Sequence, residues 1–376
     1  MKHKQTCKIM TRHLKATSVR TFLALALLTL TSVEGLAQQE KEVSQKEMLE
    51  IYDKVKTPYK YGLVLVGATN KQLTDCPTIF RRDKKWYMCF IVFNGRGYET
   101  WLAKSDDLLH WQKLGRLLSF SKSSDWDCNQ KGGYIALTDT KWGGNYKLHS
   151  YDGKYWMSYF GSNSKGYEKG SLAAGVAFTS GNPTLPHEWQ RLDKPVLAPY
   201  DTNASWWDNS KIYKNSIIED KKRLTGHRFV MFYNAKGNAE RIGMAVSDDM
   251  IHWQRFGKDP VLDHHTGITG DAYLQRINGL WVMFYFGAKY HKNPKIAAWN
   301  TFACSRDLIH WTDWDGEELI KPSEDYDELY AHKSCVIKWK GTVYHFYCAC
   351  DNHRHRGIAL ATSKDLGKST VRFPEK

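Results

Sequence analysis

A seven-residue motif that recurs along the chain constrains the fold more than any other feature. Ser-Asp-Asp-Leu-Leu-His-Trp at residues 105–111 returns with few changes at residues 247–253 and 305–311. A degenerate copy begins at Ser180 and a shortened one at Ser363. The first residues of the five copies are separated by 75, 67, 58 and 58 residues. Spacing of this length predicts one supersecondary unit that is repeated five times.

Each unit contains an aromatic-rich apolar run upstream of its motif. A polar turn and a shorter run come before it, and a third run leads into the Ser of the motif. The pattern predicts an antiparallel meander in each unit and an all-β fold, a five-bladed β-propeller over residues 61–376. The repeated Asp and His-Trp are interpreted as turn and packing residues, because a catalytic residue would not recur in every blade. The aromatic runs cover residues 85–93, 154–160, 228–233, 280–286 and 342–347.

The segment 1–37 has the pattern of a secretory signal peptide. Several basic residues precede an apolar run at residues 22–30, which is too short to span a bilayer. Ala37 is a small residue suited to the position before a cleavage site, so we expect the mature chain to start near Gln38. No Cys follows the cut, so we expect no lipid anchor and a periplasmic or secreted location. Residues 38–60 are predicted to be a lead-in.

Charge and cysteine content narrow the classes of function. The formal net charge is +14, and the basic residues beyond the leader are spread along the chain rather than clustered. This distribution does not predict a nucleic-acid-binding surface. The cysteines beyond the leader form no Cys-x-x-Cys pair, so we expect no zinc site and no cofactor.

Polar residues recur where the innermost strand of each predicted blade begins. Innermost strands line the channel of a propeller, so residues at equivalent positions should converge at one mouth of that channel. Asp75 lies in an Asp-Cys-Pro sequence in the first blade, and Asp271 lies in a Gly-Asp-Ala sequence in the fourth. The third and fifth blades offer Lys214, Asn215, His332 and Lys333.

Acidic residues recur at a second set of equivalent positions, where the aromatic strand turns into the third strand. They are Glu99, Glu168 and Glu240, and the fifth blade places Arg356 at the corresponding turn. In an antiparallel meander this turn lies at the same end of the blade as the start of the innermost strand. Both sets should therefore face one mouth. Loop residues expected to extend the binding surface or to stack on a sugar ring are Asp127, Trp207 and Asp208.

The Trp-rich units, the Asp75-Cys76-Pro77 start of the first blade and the Ser-x-Asp-x-x-His-Trp turns resemble those of five-bladed propeller glycosidases. These are glycoside hydrolase family 43 and its relatives in families 32, 117 and 130. The resemblance implies inverting hydrolysis by an Asp base from the first blade and a Glu acid from a later blade, with a third Asp that tunes the acid. Asp75 matches the base, whereas Asp271 stands where a Glu-Gly-Pro sequence would be expected.

We therefore expect Asp75 to be the base that activates water and Glu240 to be the general acid. Asp271 is expected to modulate that acid, with Glu168 as its substitute. Some relatives imply a cation in the central channel, and a structural cation near His332 is left open. Substrate-binding roles are predicted for Glu99, Asp127, Trp207, Asp208, Lys214, Asn215, His332, Lys333 and Arg356.

Together these features predict an exported glycoside hydrolase that removes terminal sugars from a polysaccharide or oligosaccharide. Its predicted partner is a carbohydrate, with no nucleic acid and no membrane anchor, and the sequence does not indicate an oligomeric state. Two alternatives stay open at this point. A glycoside phosphorylase of the family 130 kind would need a basic phosphate pocket, for which Lys214, Lys333 and Arg356 are available. A non-catalytic carbohydrate-binding propeller would need no converging acids.

Overall fold

The computed structural model describes residues 42–186 and 188–375. The predicted signal peptide, residues 1–37, lies outside the described residues. The described part of the predicted lead-in contains one helix and the start of the first strand. No helix in this part of the chain is long and apolar enough to cross a membrane.

The helix α1, Gln45–Val55, begins at a capping box. The backbone N–H of Glu47 donates to Ser44 Oγ at 3.3 Å, and the backbone N–H of Ser44 donates to the Glu47 carboxylate at 3.0 Å. This reciprocal pair satisfies two N–H groups that have no partner within the helix. Met48 and Ile51 lie on its buried face.

Twenty strands follow, and most belong to antiparallel hairpins. Their bounds are β1 Tyr59–Val66, β2 Leu73–Arg82, β3 Lys85–Phe93, β4 Tyr98–Ser105, β5 Gln112–Leu118, β6 Gln130–Ile135, β7 Tyr155–Ser162, β8 Ala173–Thr179, β9 Gln190–Arg191, β10 Lys211–Glu219, β11 Phe229–Lys236, β12 Glu240–Ser247, β13 Gln254–Arg255, β14 Ile268–Ile277, β15 Leu280–Ala288, β16 Ala298–Ser305, β17 Thr312–Asp313, β18 Tyr330–Trp339, β19 Thr342–Cys350 and β20 Arg356–Thr362.

The strands form meanders, as the repeat predicts. Two four-stranded sheets have the orders β2-β3-β4-β5 and β6-β7-β8-β9, and a third has the order β1-β20-β19-β18. The remaining strands form an eight-stranded sheet, in which β12 and β14 meet through one parallel pair, Glu240 with Ile268. The all-β prediction is confirmed. The inner strands β2, β6, β10, β14 and β18 contact one another in that order, and β18 also contacts β2.

The core lies between neighbouring sheets. Alternate residues of β11 point to opposite faces, as in any strand. Met231 shares a buried apolar cluster with Trp156 of β7, whereas Val230 shares another with Met283 of β15. Because both faces of the strand are covered, its sequence is a nearly continuous apolar run rather than an alternating one.

The recurring motif forms a tight turn after the third strand of a unit. Asp107 Oδ1 accepts hydrogen bonds from two backbone N–H groups further along the turn, each at 2.9 Å. Its Oδ2 lies 2.7 Å from His110 Nδ1, and Trp111 Nε1 donates to a backbone carbonyl of the turn at 3.1 Å. The copies that begin at Ser247 and Ser305 make the same contacts. These residues stabilise turns, the role that their repetition indicated.

Replacing Asp107 by Ala is expected to lower the free energy of unfolding by about 1–2 kcal/mol, because the turn loses its acceptors. Partial burial opposes the charge, but hydrogen bonds from His110 and the turn lower the pKa of Asp107 to about 2. The stabilisation is therefore present above the unfolded pKa, near 3.8, and is lost as the pH falls towards 2.

Urea unfolding at several pH values measures this effect. The adjacent Asp106→Ala variant is the control, since Asp106 makes only an exposed ion pair with Lys85 and should change stability by less than about 1 kcal/mol. Equal losses in the two variants would contradict the role given to the turn carboxylate.

Candidate active site

A cavity of about 550 Å³ lies where the inner strands meet. All five inner strands contribute residues to its lining. Its aromatic lining consists of Tyr98, Tyr134, Phe160, Tyr167, Tyr213, Phe286 and Tyr330. Its polar and charged lining consists of Glu168, Lys214, Asn234, Glu240, Asp271, Lys289, His291, His332, Lys333 and Arg356. Three carboxylates and several cationic side chains therefore surround one largely aromatic space.

Bulges in the inner strands bring side chains to this cavity. The pairing register shifts near the start of β2, β14 and β18, and the residues at the shifts are Cys76, Asp271 and Lys333. Their φ angles are 51°, 60° and 64°, in the left-handed region. A bulge bends the strand and re-aims a side chain, and all three residues line the cavity. A shift in β10 places Lys214 there in the same way.

Asp75 does not line the cavity, although it immediately precedes a residue that does. Its carboxylate is buried, and its Oδ2 accepts hydrogen bonds from Lys333 Nζ at 2.7 Å and from Arg356 Nη1 at 3.0 Å. Burial alone would raise the pKa of Asp75, but the two cations hold it far below its usual value. The sequence-based assignment of Asp75 as the water-activating base does not fit this placement, because the carboxylate is enclosed and already paired.

Glu240 and Glu168 both line the cavity. Glu240 is the first residue of β12, and its carboxylate accepts a hydrogen bond from Asn234 Nδ2 at 3.3 Å. Burial, followed by the charge of Glu168, raises the pKa of Glu240 to about 7. Glu168 lies in the turn before β8 with a φ of 50°. One carboxyl group of this pair is therefore largely protonated near neutral pH.

Glu99 lies outside the cavity because of a one-residue difference in register. Tyr98 pairs with the last residue of β3 just as Glu240 pairs with the last residue of β11, so Tyr98 occupies the equivalent position. Successive residues of a strand point to opposite faces. The Glu99 carboxylate therefore meets Arg116 Nε at 3.0 Å and accepts from Asn94 Nδ2 at 2.9 Å. The prediction that Glu99 binds substrate is corrected by this placement.

Comparisons with known proteins identify the family. No protein-family model and no curated protein matches the sequence. Two solved structures match most of it, namely a complex of BT0996 with RGII and a structure described as a glycoside hydrolase. Each is 49% identical with a TM-score of 0.86, and the match covers 89% of this sequence and 99% of the other. The protein belongs to the propeller glycoside hydrolases.

More distant solved structures share the fold of this hydrolase. A thermostable family-43 glycoside hydrolase is 15% identical with a TM-score of 0.57, over 83% of this sequence and 98% of the other. A family 117 hydrolase from Zobellia galactanivorans is 14% identical with a TM-score of 0.59, over 83% of this sequence and 92% of the other. Likeness at this identity concerns the fold alone. The resemblance to propeller glycosidases that the motifs indicated is confirmed.

Two other acids that we expected to bind substrate have structural partners in the hydrolase. Asp127 accepts a hydrogen bond from Tyr159 at 2.8 Å, and Asp208 accepts one from Tyr233 at 2.9 Å. Neither acid lines the cavity. The same contact recurs in two further units, between Tyr285 and Asp313 and between Tyr347 and Asp327. A contact that recurs in four units belongs to the fold, so the substrate-binding assignments of Asp127 and Asp208 are corrected.

Trp207 and Asn215 are also buried away from the cavity. Trp207 stacks on Tyr233 with ring centroids 5.3 Å apart, and a Cβ on Gly243 would clash with its indole ring. Neither face of this indole is open to a sugar, which corrects the predicted stacking role. Asn215 Nδ2 donates to the backbone carbonyl of Tyr213 at 3.1 Å and so supports the bulge in β10.

His332 lines the cavity as a neutral imidazole. Burial and the neighbouring Lys333 charge lower the pKa of His332 to about 3. Its Nδ1 lies 3.1 Å from the backbone carbonyl of Cys348, which assigns the proton to Nδ1 and leaves Nε2 as an acceptor. In residues 42–186 and 188–375, no group of three His, Cys, Asp or Glu side chains is arranged to hold a metal ion.

Several lining residues were not found from the sequence. Tyr98 could have been found by aligning the first residue of each third strand, and Cys76 by aligning the middle residue of each inner-strand triplet. Asn234 and Phe286 carried no such signal, because they lie within the apolar runs 228–233 and 280–286 or next to them. An apolar run does not show which of its residues faces a cavity.

Proposed function

We propose that this hydrolase removes a terminal sugar from a glycan, with Glu240 as the general acid. Hydrolysis of a glycosidic bond needs one protonated carboxyl group at the leaving oxygen and one ionised carboxylate. The observation that carries the proposal is the cavity that holds Glu240, with a pKa of about 7, beside Glu168. A carboxyl group with that pKa is protonated often enough to donate and ionises readily afterwards.

Glu168 is proposed as the ionised partner, in the role first assigned to Asp75. It lines the cavity and raises the pKa of Glu240 by its charge, whereas Asp75 is enclosed. Asp271 is proposed as the third carboxylate. Inversion stays the expected outcome from the resemblance to family 43, with Glu168 activating a water. Proton NMR of the first sugar released tests this, since a product of unchanged anomeric configuration would require a covalent intermediate instead.

The substrate proposal rests on the similar structure described as a complex of BT0996 with RGII. We propose an RGII glycan, or a glycan with the same terminal sugar, as the substrate of this hydrolase. The experiment is incubation of the processed protein with RGII oligosaccharides, a panel of 4-nitrophenyl glycosides and other oligosaccharides. Release of one monosaccharide supports the proposal, and no release from any of them would sink it.

Phosphorolysis is not proposed. The basic residues expected for a phosphate pocket included Lys333 and Arg356, and both donate to the buried Asp75 carboxylate. Two cations that share one carboxylate in this way are committed to the fold rather than free for phosphate. Turnover that is unchanged when phosphate is omitted supports hydrolysis.

Five blades are proposed as the architecture of residues 61–376. The eight-stranded sheet divides naturally into β10–β13 and β14–β17, which meet only at Glu240 and Ile268. Counted so, five units each supply one inner strand to the ring of contacts. The β1 strand completes the last unit by pairing with β20.

Export is proposed from the leader, residues 1–37. Processed protein from the periplasmic or secreted fraction is expected to begin at or near Gln38, as measured by intact mass. Ala37→Leu is expected to block cleavage, because the peptidase site accepts only a small residue there. A distant Ala68→Leu change in the same preparation is the control. Exported protein that keeps Met1 would contradict the proposal.

A further inference from the structure

The Lys214 ammonium is the least satisfied charge at the cavity. Lys214 lines the cavity and is only 1% exposed. Its Nζ is shielded from bulk water and has no hydrogen-bond or ion-pair partner among residues 42–186 and 188–375. The ring of Tyr134, 5.5 Å away, is its nearest favourable contact. A buried donor without an acceptor costs free energy, so this group is poised for a ligand atom that accepts.

An acceptor without a donor lies beside it. The side-chain oxygen of Asn234 is buried and also has no partner in the described part of the chain. Asn234 lies on β11 opposite the bulge of β10 that contains Lys214, so paired strands bring the two side chains together. Its Nδ2 donates to Glu240, and Gly270 leaves room for the amide, since a Cβ there would lie 2.7 Å from Nδ2.

A second acceptor faces the same region from the next inner strand. Asp271 of β14 lines the cavity, and its one hydrogen bond within the described residues comes from Cys76 Sγ, 3.4 Å from Oδ2. The strands β10 and β14 contact each other. One donor and two acceptors therefore border the cavity beside the proposed acid, and none of them saturates another.

We propose that these three side chains bind a neutral sugar unit through two adjacent free hydroxyl groups. One hydroxyl oxygen accepts from Lys214, and the hydroxyl hydrogens go to Asn234 and Asp271. A hydroxyl group both donates and accepts, whereas a carboxylate only accepts. A uronic acid would satisfy Lys214 but would set its lone pairs against Asn234 and Asp271. The inference rests on the proposed function, since the sugar is the unit whose bond is cleaved.

Binding of free monosaccharides to the processed protein tests the proposal without requiring catalysis. Saturation-transfer NMR titrations would use the neutral sugars L-arabinose, D-xylose, L-rhamnose and D-galactose, with D-galacturonic and D-glucuronic acids as the acidic set. We expect a neutral sugar to bind more tightly than either acid. Tighter binding of a uronic acid, or no binding of any sugar, would overturn the proposal.

Lys214→Met removes the donor at nearly constant volume. It is expected to weaken binding of the preferred sugar by about tenfold to a hundredfold, the value of one hydrogen bond to a charged group. Lys289→Met is the matched control, because this exposed lining residue carries the same charge. Its binding should stay within about twofold of wild type. Equal losses in the two variants would reduce the effect to charge alone and overturn the assignment.

Deoxy forms of the preferred sugar keep the test independent of variant folding. Removing one of the two hydroxyls should weaken binding to the wild-type protein, and Lys214→Met should then cause little further loss. Undiminished binding of every monodeoxy form would overturn the proposal. Sugar binding with no hydrolysis of any glycan would instead remove the proposed function and leave this site in place.

Discussion

Glu240→Gln is expected to lower kcat on the natural glycan by about a hundredfold to ten-thousandfold, the usual contribution of a general acid. The amide keeps the size and the contact with Asn234 but has no proton of suitable acidity to give to the leaving oxygen. Substrates whose leaving group is already a weak base need no such proton. The loss should therefore be much smaller on a 4-nitrophenyl glycoside than on an oligosaccharide.

The pH profile separates this role from a structural one. Burial and the charge of Glu168 raise the pKa of Glu240 to about 7, and a general acid works only while protonated. The wild-type kcat/KM should therefore fall as the pH rises through about 7, and this basic limb should disappear in the variant. Glu99→Gln is the matched control, because it changes the same side chain at the neighbouring register outside the cavity. A Glu240→Gln enzyme with wild-type rates on oligosaccharides would refute the assignment.

Asp75→Asn is expected to destabilise the protein by about 3–5 kcal/mol, since it leaves Lys333 and Arg356 buried without a counter-ion. The folded-state pKa of Asp75 is depressed by these cations against the effect of burial. Its contribution to stability is therefore present above the unfolded pKa, near 3.8, and declines as the pH falls below it. The gap between variant and wild type should narrow in acid.

Urea unfolding at pH 7 and at pH 3 measures this gap. The Asp106→Asn variant, which changes an exposed ion pair with Lys85, should lose less than about 1 kcal/mol. A base in the active site would behave differently from a buried counter-ion. An Asp75→Asn protein that keeps its full stability but loses hydrolysis of every substrate would return Asp75 to the catalytic role.

The repeat was sufficient to predict the all-β fold and the end of the sheets that carries the polar residues. Regular spacing of turns and aromatic runs is a local property, and strands joined by short turns have few ways to pair. As a result, the four cationic or neutral candidates Lys214, His332, Lys333 and Arg356 all line one cavity with Glu168, Glu240 and Asp271.

The register within each strand was not predictable to one residue. The candidates Asp75 and Glu99 stand next to Cys76 and Tyr98, which line the cavity in their place. In β2 a bulge decides which side chain is re-aimed, and in β4 the pairing with β3 does so. Both depend on hydrogen bonds between strands, and a one-residue shift moves a side chain to the opposite face.

The sequence by itself determined the strand type, the repeat and the residues available at one end of the units. Only the tertiary structure decided which carboxylates are open to substrate and which are protonated. The physical reason is that a charge state depends on neighbours in space. Lys333 and Arg356, which bind Asp75, lie 258 and 281 residues away along the sequence, and Glu240 owes its raised pKa to burial and to Glu168 from another sheet.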